Sequence, residues 1–155
     1  IINHFARFKN VLKDTDQQVK YTRNEENIHA LVGIKIINTI REEHPELFDV
    51  ELEERIAHEA VCAYKAEARI VDWMLNGINE PALNAPIVKE FIKNRINSSL
   101  EQIGFDPVFD IDNDLVAPTM WFEEELLGNN MTDFFHSRPV EYSKKSQSFD
   151  EDDLF

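Results

Sequence analysis

The stretch from Thr15 to Pro45, TDQQVKYTRNEENIHALVGIKIINTIREEHP, holds a single helical period from end to end. Thr22, Glu26, His29, Gly33, Ile36 and Ile40 recur at spacings of four and three, which marks one face of a long helix. Asp14-Thr15-Asp16-Gln17-Gln18 supplies a start signal, with Thr15 three residues before Gln18 as in a capping box. His44-Pro45 supplies the stop, because proline disfavours the helical conformation in the residue before it.

Two positions break the character of that face. Glu26 and His29 occupy a line otherwise filled by apolar or small residues, and three residues apart they share one side of the helix. A carboxylate turned into a core is costly unless an opposite charge meets it, and a metal ion would meet it. Glu-x-x-His on an inward helix face is the arrangement of dinuclear carboxylate bundles, where two helices each give Glu-x-x-His and two others each give one carboxylate. The same four residues also read as a solvated acid beside a hydrogen-bonded core histidine.

Outward from this helix the remaining pattern is also helical. Ile1-Ile2-Asn3-His4-Phe5 opens on apolar residues and reads as the middle of a helix running to about Leu12. Asp49 opens another helix, with Glu51, Glu53 and Glu54 set against the positive end of its dipole, and Asn76-Gly77 closes it. A connector containing Pro81 leads to a helix from Pro86 to Gln102, with Val88, Phe91, Ile92, Ile96, Leu100 and Ile103 on one side and Gly104 at the stop. Phe105 to Pro118 reads as an extended connection, and Met120 to Leu127 as a short amphipathic helix. The expected division is a helical part over residues 1–128 and a mobile tail over 129–155. That tail carries a basic pair, Lys144-Lys145, and a terminal acidic run framed by Phe149, Leu154 and Phe155.

Composition narrows the function. Of 155 residues, 30 are Asp or Glu and 16 are Lys or Arg, a net charge of −14, and only 4 are glycine. So negative a chain repels phosphate backbones and anionic headgroups, which argues against nucleic acid and membrane partners. Low glycine argues against a turn-rich all-β fold. One cysteine, Cys62, forms neither an internal disulfide nor a cysteine-rich zinc site, which points to a cytoplasmic setting. No apolar run reaches the length of a membrane span, and no signal peptide is legible.

Other candidate residues have plainer readings. Glu67 falls on the line Ile56, Ala60, Ala63, Glu67, Ile70, Met74 and reads as one half of an ion pair with a neighbouring helix. His58 with Glu54 reads as a solvated pair on a charged face. His4, His44 and His136 lack an acid at ligand spacing. Cys62 reads as a buried, inert thiol, and Trp73 and Trp121 as core or interface anchors.

Several segments taken in order resemble one family, the radical-generating small subunit of class I ribonucleotide reductase. Residues 21–30, YTRNEENIHA, are similar to its second Glu-x-x-His helix. Asp72-Trp73 with Asn76-Gly77, and Leu83-Asn84 leading into the helix up to Gly104, resemble its later helices. Residues 130–142, NMTDFFHSRPVEY, are similar to the stretch entering its tail, and Ser148 to Phe155 to the acidic, aromatic-ended peptide that docks on the large subunit. The resemblance implies an all-α, ferritin-like helical bundle of which this chain supplies the carboxyl-terminal helices.

It further implies that Glu26 bridges two metal ions, that His29 binds one of them, and that Tyr142 relays a radical between subunits. Glu25 stands in register with a relay aspartate, one methylene longer. Phe149, Leu154 and Phe155 become the docking contacts. The implied cofactor is dinuclear iron, with manganese or mixed manganese and iron equally acceptable to carboxylate and imidazole ligands. The family's first Glu-x-x-His helix, its lone carboxylate ligands and its radical tyrosine have no counterpart here, so the metals are shared with residues outside the chain. The implied partners are the amino-terminal half of the small subunit, the large subunit and a second small subunit. The implied activity is reduction of ribonucleoside diphosphates to deoxyribonucleotides for DNA replication, absent without the amino-terminal half and the large subunit. Two readings stand beside it: a metal-free helical scaffold that only docks the large subunit through its acidic tail, and another ferritin-like carboxylate oxidase.

Overall fold

A computed structural model of the chain describes residues 1–78, 80 and 82–130. The fold is all-α, as expected: α1 (Ile2–Lys9), α2 (Lys13–Glu43), α3 (Val50–Met74), α4 (Ala85–Gln102), α5 (Asn113–Val116) and α6 (Met120–Asn130), with 3-10 turns at Pro45–Leu47 and Ala117–Thr119. An isolated bridge joins Glu80 and Leu83, and no strand forms among the described residues. The chain divides into two compact units, Ile1–Thr119 and Met120–Phe155. Of the second unit the described part is α6, which runs to Asn130, beyond the expected end at Leu127.

Most helix ends follow their sequence signals. The Asp49 carboxylate accepts from the Leu52 amide at 2.9 Å and caps α3, and the Asn84 side chain accepts from the Ile87 amide at 3.1 Å and caps α4, with Pro86 inside the first turn. Gly77 (φ 80°) and Gly104 (φ 77°) take the left-handed conformation that ends a helix cheaply only when no Cβ is present. The start of α2 departs from expectation. The helix begins at Lys13, ahead of Thr15, and its cap residue Leu12 has φ 59° with no side-chain cap bond. The sharp turn between α1 and α2, with Asn10 also left-handed, sets this start rather than the expected capping box.

The core gathers where α3 ends and α4 begins. Val71, Leu75 and Leu83 are buried, and Phe5, Ile78, Ala85, Val88 and Ile92 pack against them. On α3 the inward line is Ala57, Val61, Tyr64, Ala68, Val71 and Leu75, all buried or half-buried. Of the expected line, Ile56 and Ala60 are half-buried while Ala63, Glu67, Ile70 and Met74 are exposed. Both lines carry apolar residues at helical spacing, and α3 turns inward the one whose Val71 and Leu75 join the core.

Helix α4 buries two polar side chains, Glu90 and Asn97, beside Ile87 and Leu100. Their spacing of seven keeps them on one face, where they bind the chain that returns along the helix. Asn97 Oδ1 accepts from the amides of Val108 and Phe109 at 3.0 and 3.1 Å. Glu90 Oε1 accepts from the Asp112 amide at 2.9 Å while Oε2 accepts from Lys93 Nζ at 2.9 Å. That pairing raises the Lys93 pKa above its ordinary value, through the Glu90 hydrogen bond foremost. The expected extended connection thus has its backbone polar groups satisfied by side chains and closes on the short helix α5.

Candidate functional site

Helix α2 is held at its two ends. Near its start, buried Asp16 accepts a 2.7 Å hydrogen bond from Asn3 Nδ2 and pairs with Lys20 at 2.8 Å. Near its finish, Asn38 Nδ2 donates to the Gln102 carbonyl at 2.9 Å and Arg41 donates to the Ile103 carbonyl at 3.0 Å. The Arg41 guanidinium also lies over the rings of Phe48 and Phe105, 4.2 and 4.5 Å from their centroids. Between these anchorages the helix stands clear: from Tyr21 to Val32 every residue is exposed except half-buried Arg23.

Glu26 and His29 lie in this clear stretch. Glu26 Oε2 and His29 Nδ1 are 3.5 Å apart, with the side chains 69% and 73% exposed. The expected metal-facing stripe needs a complement from outside the chain, and both side chains face solvent here, because no described element packs over α2 between residues 24 and 32. The apolar residues on the same line share this fate: Ile36 is 53% exposed and Ile40 38%. Neighbouring Glu25 is exposed as well.

The donor chemistry of the pair suits a divalent or trivalent cation: one hard carboxylate and one imidazole meet on a single turn of a rigid helix. No group of three or more metal-ligating side chains gathers among the described residues. Glu26 and His29 therefore fit one arm of a metal centre rather than a complete one.

The other candidates fall out differently. Glu67 is exposed rather than turned to a neighbouring helix, since α3 faces its other apolar line inward. Cys62 is exposed, not buried, and its Sγ lies 3.5 Å from His58 Nε2. Trp73 is 80% exposed and so is no core anchor. His44, which lacks an acid three or four residues away, meets Glu46 Oε1 at 3.2 Å. His4 is buried in α1 against Phe8, and burial lowers its pKa. His136, Tyr142, Phe149, Leu154 and Phe155 lie outside the described residues, as does nearly all of the expected tail. Sequence reasoning missed Arg41, Glu90 and Asn97. The latter two are among many polar residues on α4, so nothing local singled them out.

Comparison with known proteins bears on what α2 belongs to. The family model described as "Ribonucleotide reductase, small chain" matches residues 1–116. The chain belongs to that family. The match takes in α1 to α4 and α5 and thus includes Glu26 and His29. Among relatives, the ribonucleoside-diphosphate reductase subunit beta of Aquifex aeolicus is 32% identical over 126 residues, covering 78% of this chain and 17% of that protein. The protein of the same name from Chlamydia pneumoniae is 30% identical over 135 residues, covering 86% of this chain and 37% of that one. That from Treponema pallidum is 26% identical, covering 92% and 40%. The chain thus spans between 17% and 40% of the length of these small-chain relatives. No helix among the described residues is long and apolar enough to cross a membrane.

Proposed function

We propose that this chain contributes the second Glu-x-x-His helix and the docking tail of a ribonucleotide reductase small subunit. Residues outside the sequence close over α2 and complete a dinuclear metal site. The observation that carries the reading is the clear stretch of α2, where an exposed acid and imidazole 3.5 Å apart are continuous with exposed Ile36 and Ile40. An apolar helix line left in water has lost its hydrophobic stabilisation, about 25 cal/mol per Å2, and regains it only under a cover.

In that covered state Glu26 and His29 would hold the metal through carboxylate oxygen and imidazole nitrogen. Exclusion of water by the cover strengthens both contacts. A dinuclear iron or manganese centre, when bound, supplies one-electron oxidation driven by dioxygen. Glu25, beside the ligand, and Tyr142 in the tail serve the relay that carries the oxidising equivalent towards the large subunit. Phe149, Leu154 and Phe155 provide the docking contacts, and a short peptide of this kind binds modestly and releases readily. The large subunit then reduces ribonucleoside diphosphates, and a second small subunit completes the assembly. Residues 1–128 serve as scaffold and residues 129–155 as tail, in a soluble, cytoplasmic enzyme.

The test combines the chain with the missing part of the small subunit, a large subunit and iron, and follows deoxyribonucleotide formation. Activity that disappears in Glu26→Ala, and separately on deletion of Leu154-Phe155, supports the reading. The rival reading, a metal-free scaffold, is favoured by the finding that no three metal-ligating side chains gather among the described residues. It requires Glu26→Ala to be silent while the tail deletion abolishes association.

A further inference from the structure

Helix α2 has three distinct sides. At about 100° per residue, buried Asp16 and half-buried Arg23, Ile34 and Arg41 fall together on the side turned to the rest of Ile1–Thr119. Glu26, His29, Ile36 and Ile40 lie on a flank roughly 100° round from it. Tyr21, Ile28 and Val32, with Leu31 beside them, lie about 100° further round, on the side opposite the body. These four residues are 45–56% exposed. Lys35 follows Val32 on the same side, so the apolar patch is bounded: it runs from Tyr21 to Val32, three turns or roughly 17 Å. That span coincides with the clear stretch, over which no described element packs on α2. An outer helix side that faces water in the finished molecule carries polar residues, and this one does not.

We infer that this outer side is a second, metal-independent contact for the remainder of the small subunit. That partner grips α2 on the flank at Glu26 and His29 and, separately, on the outer side at Tyr21, Ile28, Leu31 and Val32. The inference rests on the small-subunit reading above and adds an order of assembly: the apolar contact forms first, and the metals enter a site already built. The reason is the difference between the two sides. Apolar burial needs no third component, whereas a carboxylate brought under a cover is costly until a cation meets it. The occupant follows from the lengths of the relatives, since the matched region is 37% and 40% of two of them and most of a small subunit lies outside it. A second copy of this chain fits less well, because it brings another −14 of charge against this one, with Glu25 close by the patch.

The test measures association of the full chain with the remainder of the small subunit by calorimetry, first in EDTA and then with iron. Binding should occur in EDTA and be unchanged when Glu26→Ala and His29→Ala are combined. It should weaken at least about tenfold in Ile28→Lys and in Val32→Lys, and Ile28→Leu should retain it. Lys35→Glu, on the same side beyond the patch, should bind as the unmodified chain does. Every one of these positions is exposed in the chain alone, so circular dichroism should show the same helical content throughout. Binding that appears only with iron, or that is indifferent to both lysine substitutions, overturns the second contact and leaves the metal reading standing. Failure to bind under either condition overturns both.

Discussion

Asn97 and Phe109 are bound to each other in both directions: the Asn97 amide nitrogen donates to the Phe109 carbonyl at 2.8 Å, and its oxygen accepts from the Phe109 amide at 3.1 Å. One buried side chain thereby stands in for a strand partner and fixes the returning segment along α4. Phe109 is in turn held against Tyr64 of α3, ring centroids 5.1 Å apart. Asn97→Ala strands two amides and a carbonyl and should cost roughly 2–3 kcal/mol, read as a lower urea midpoint with an unchanged m-value.

Gly104 and Gly33 should respond oppositely to alanine. At Gly104, φ is +77° and a Cβ would sit 3.0 Å from Arg41 Nε, so Gly104→Ala strains the backbone and pushes the guanidinium off its stack. A loss of at least about 1–2 kcal/mol is expected. At Gly33 nothing lies within 4 Å, and inside a helix Gly33→Ala should gain about 0.5–1 kcal/mol in the isolated chain. Thermal melts of the two variants check both signs.

Acid should weaken the fold through His4. Burial, with help from nearby Lys9 and against the pull of Glu80, lowers its pKa below the ordinary 6.5. The unfolded chain then takes up a proton near pH 6.5 while the folded chain resists, so over that window the unfolded state binds more protons. Stability rises with pH through the window and is fully present above about 6.5. Urea midpoints on the two sides of it should differ in that direction, and His4→Gln should reduce the difference.

Much of the fold was legible because the signals are local. Asp49, Gly77 and Gly104 mark helix ends through chemistry confined to one turn, and each did so here. What was not legible depends on which face a helix turns to its neighbours. Two apolar lines on α3 satisfy the same periodicity, which cannot choose between them, and with the line of Val71 and Leu75 inward Glu67 and Cys62 are exposed. The side-chain-held connection before α5 arises from long-range bonds to Glu90 and Asn97, invisible to any local pattern, while α5 itself starts at a local cap, the Asp112 side chain. At the site, the spacing of Glu26 and His29 was plain and their proximity followed. Their exposure was legible too, since a half-site that needs a complement leaves this face of α2 in water.

The central claim is that Glu26 and His29 are one arm of a metal site that residues outside the chain complete. Its most direct test is the bound iron or manganese per complex after the chain is combined with the remainder of a small subunit, measured for the wild-type sequence, Glu26→Ala and His29→Ala. The account predicts two metal ions per complex for the wild type and a clear loss in both variants, with helical content unchanged. Full metal content in both variants would contradict it.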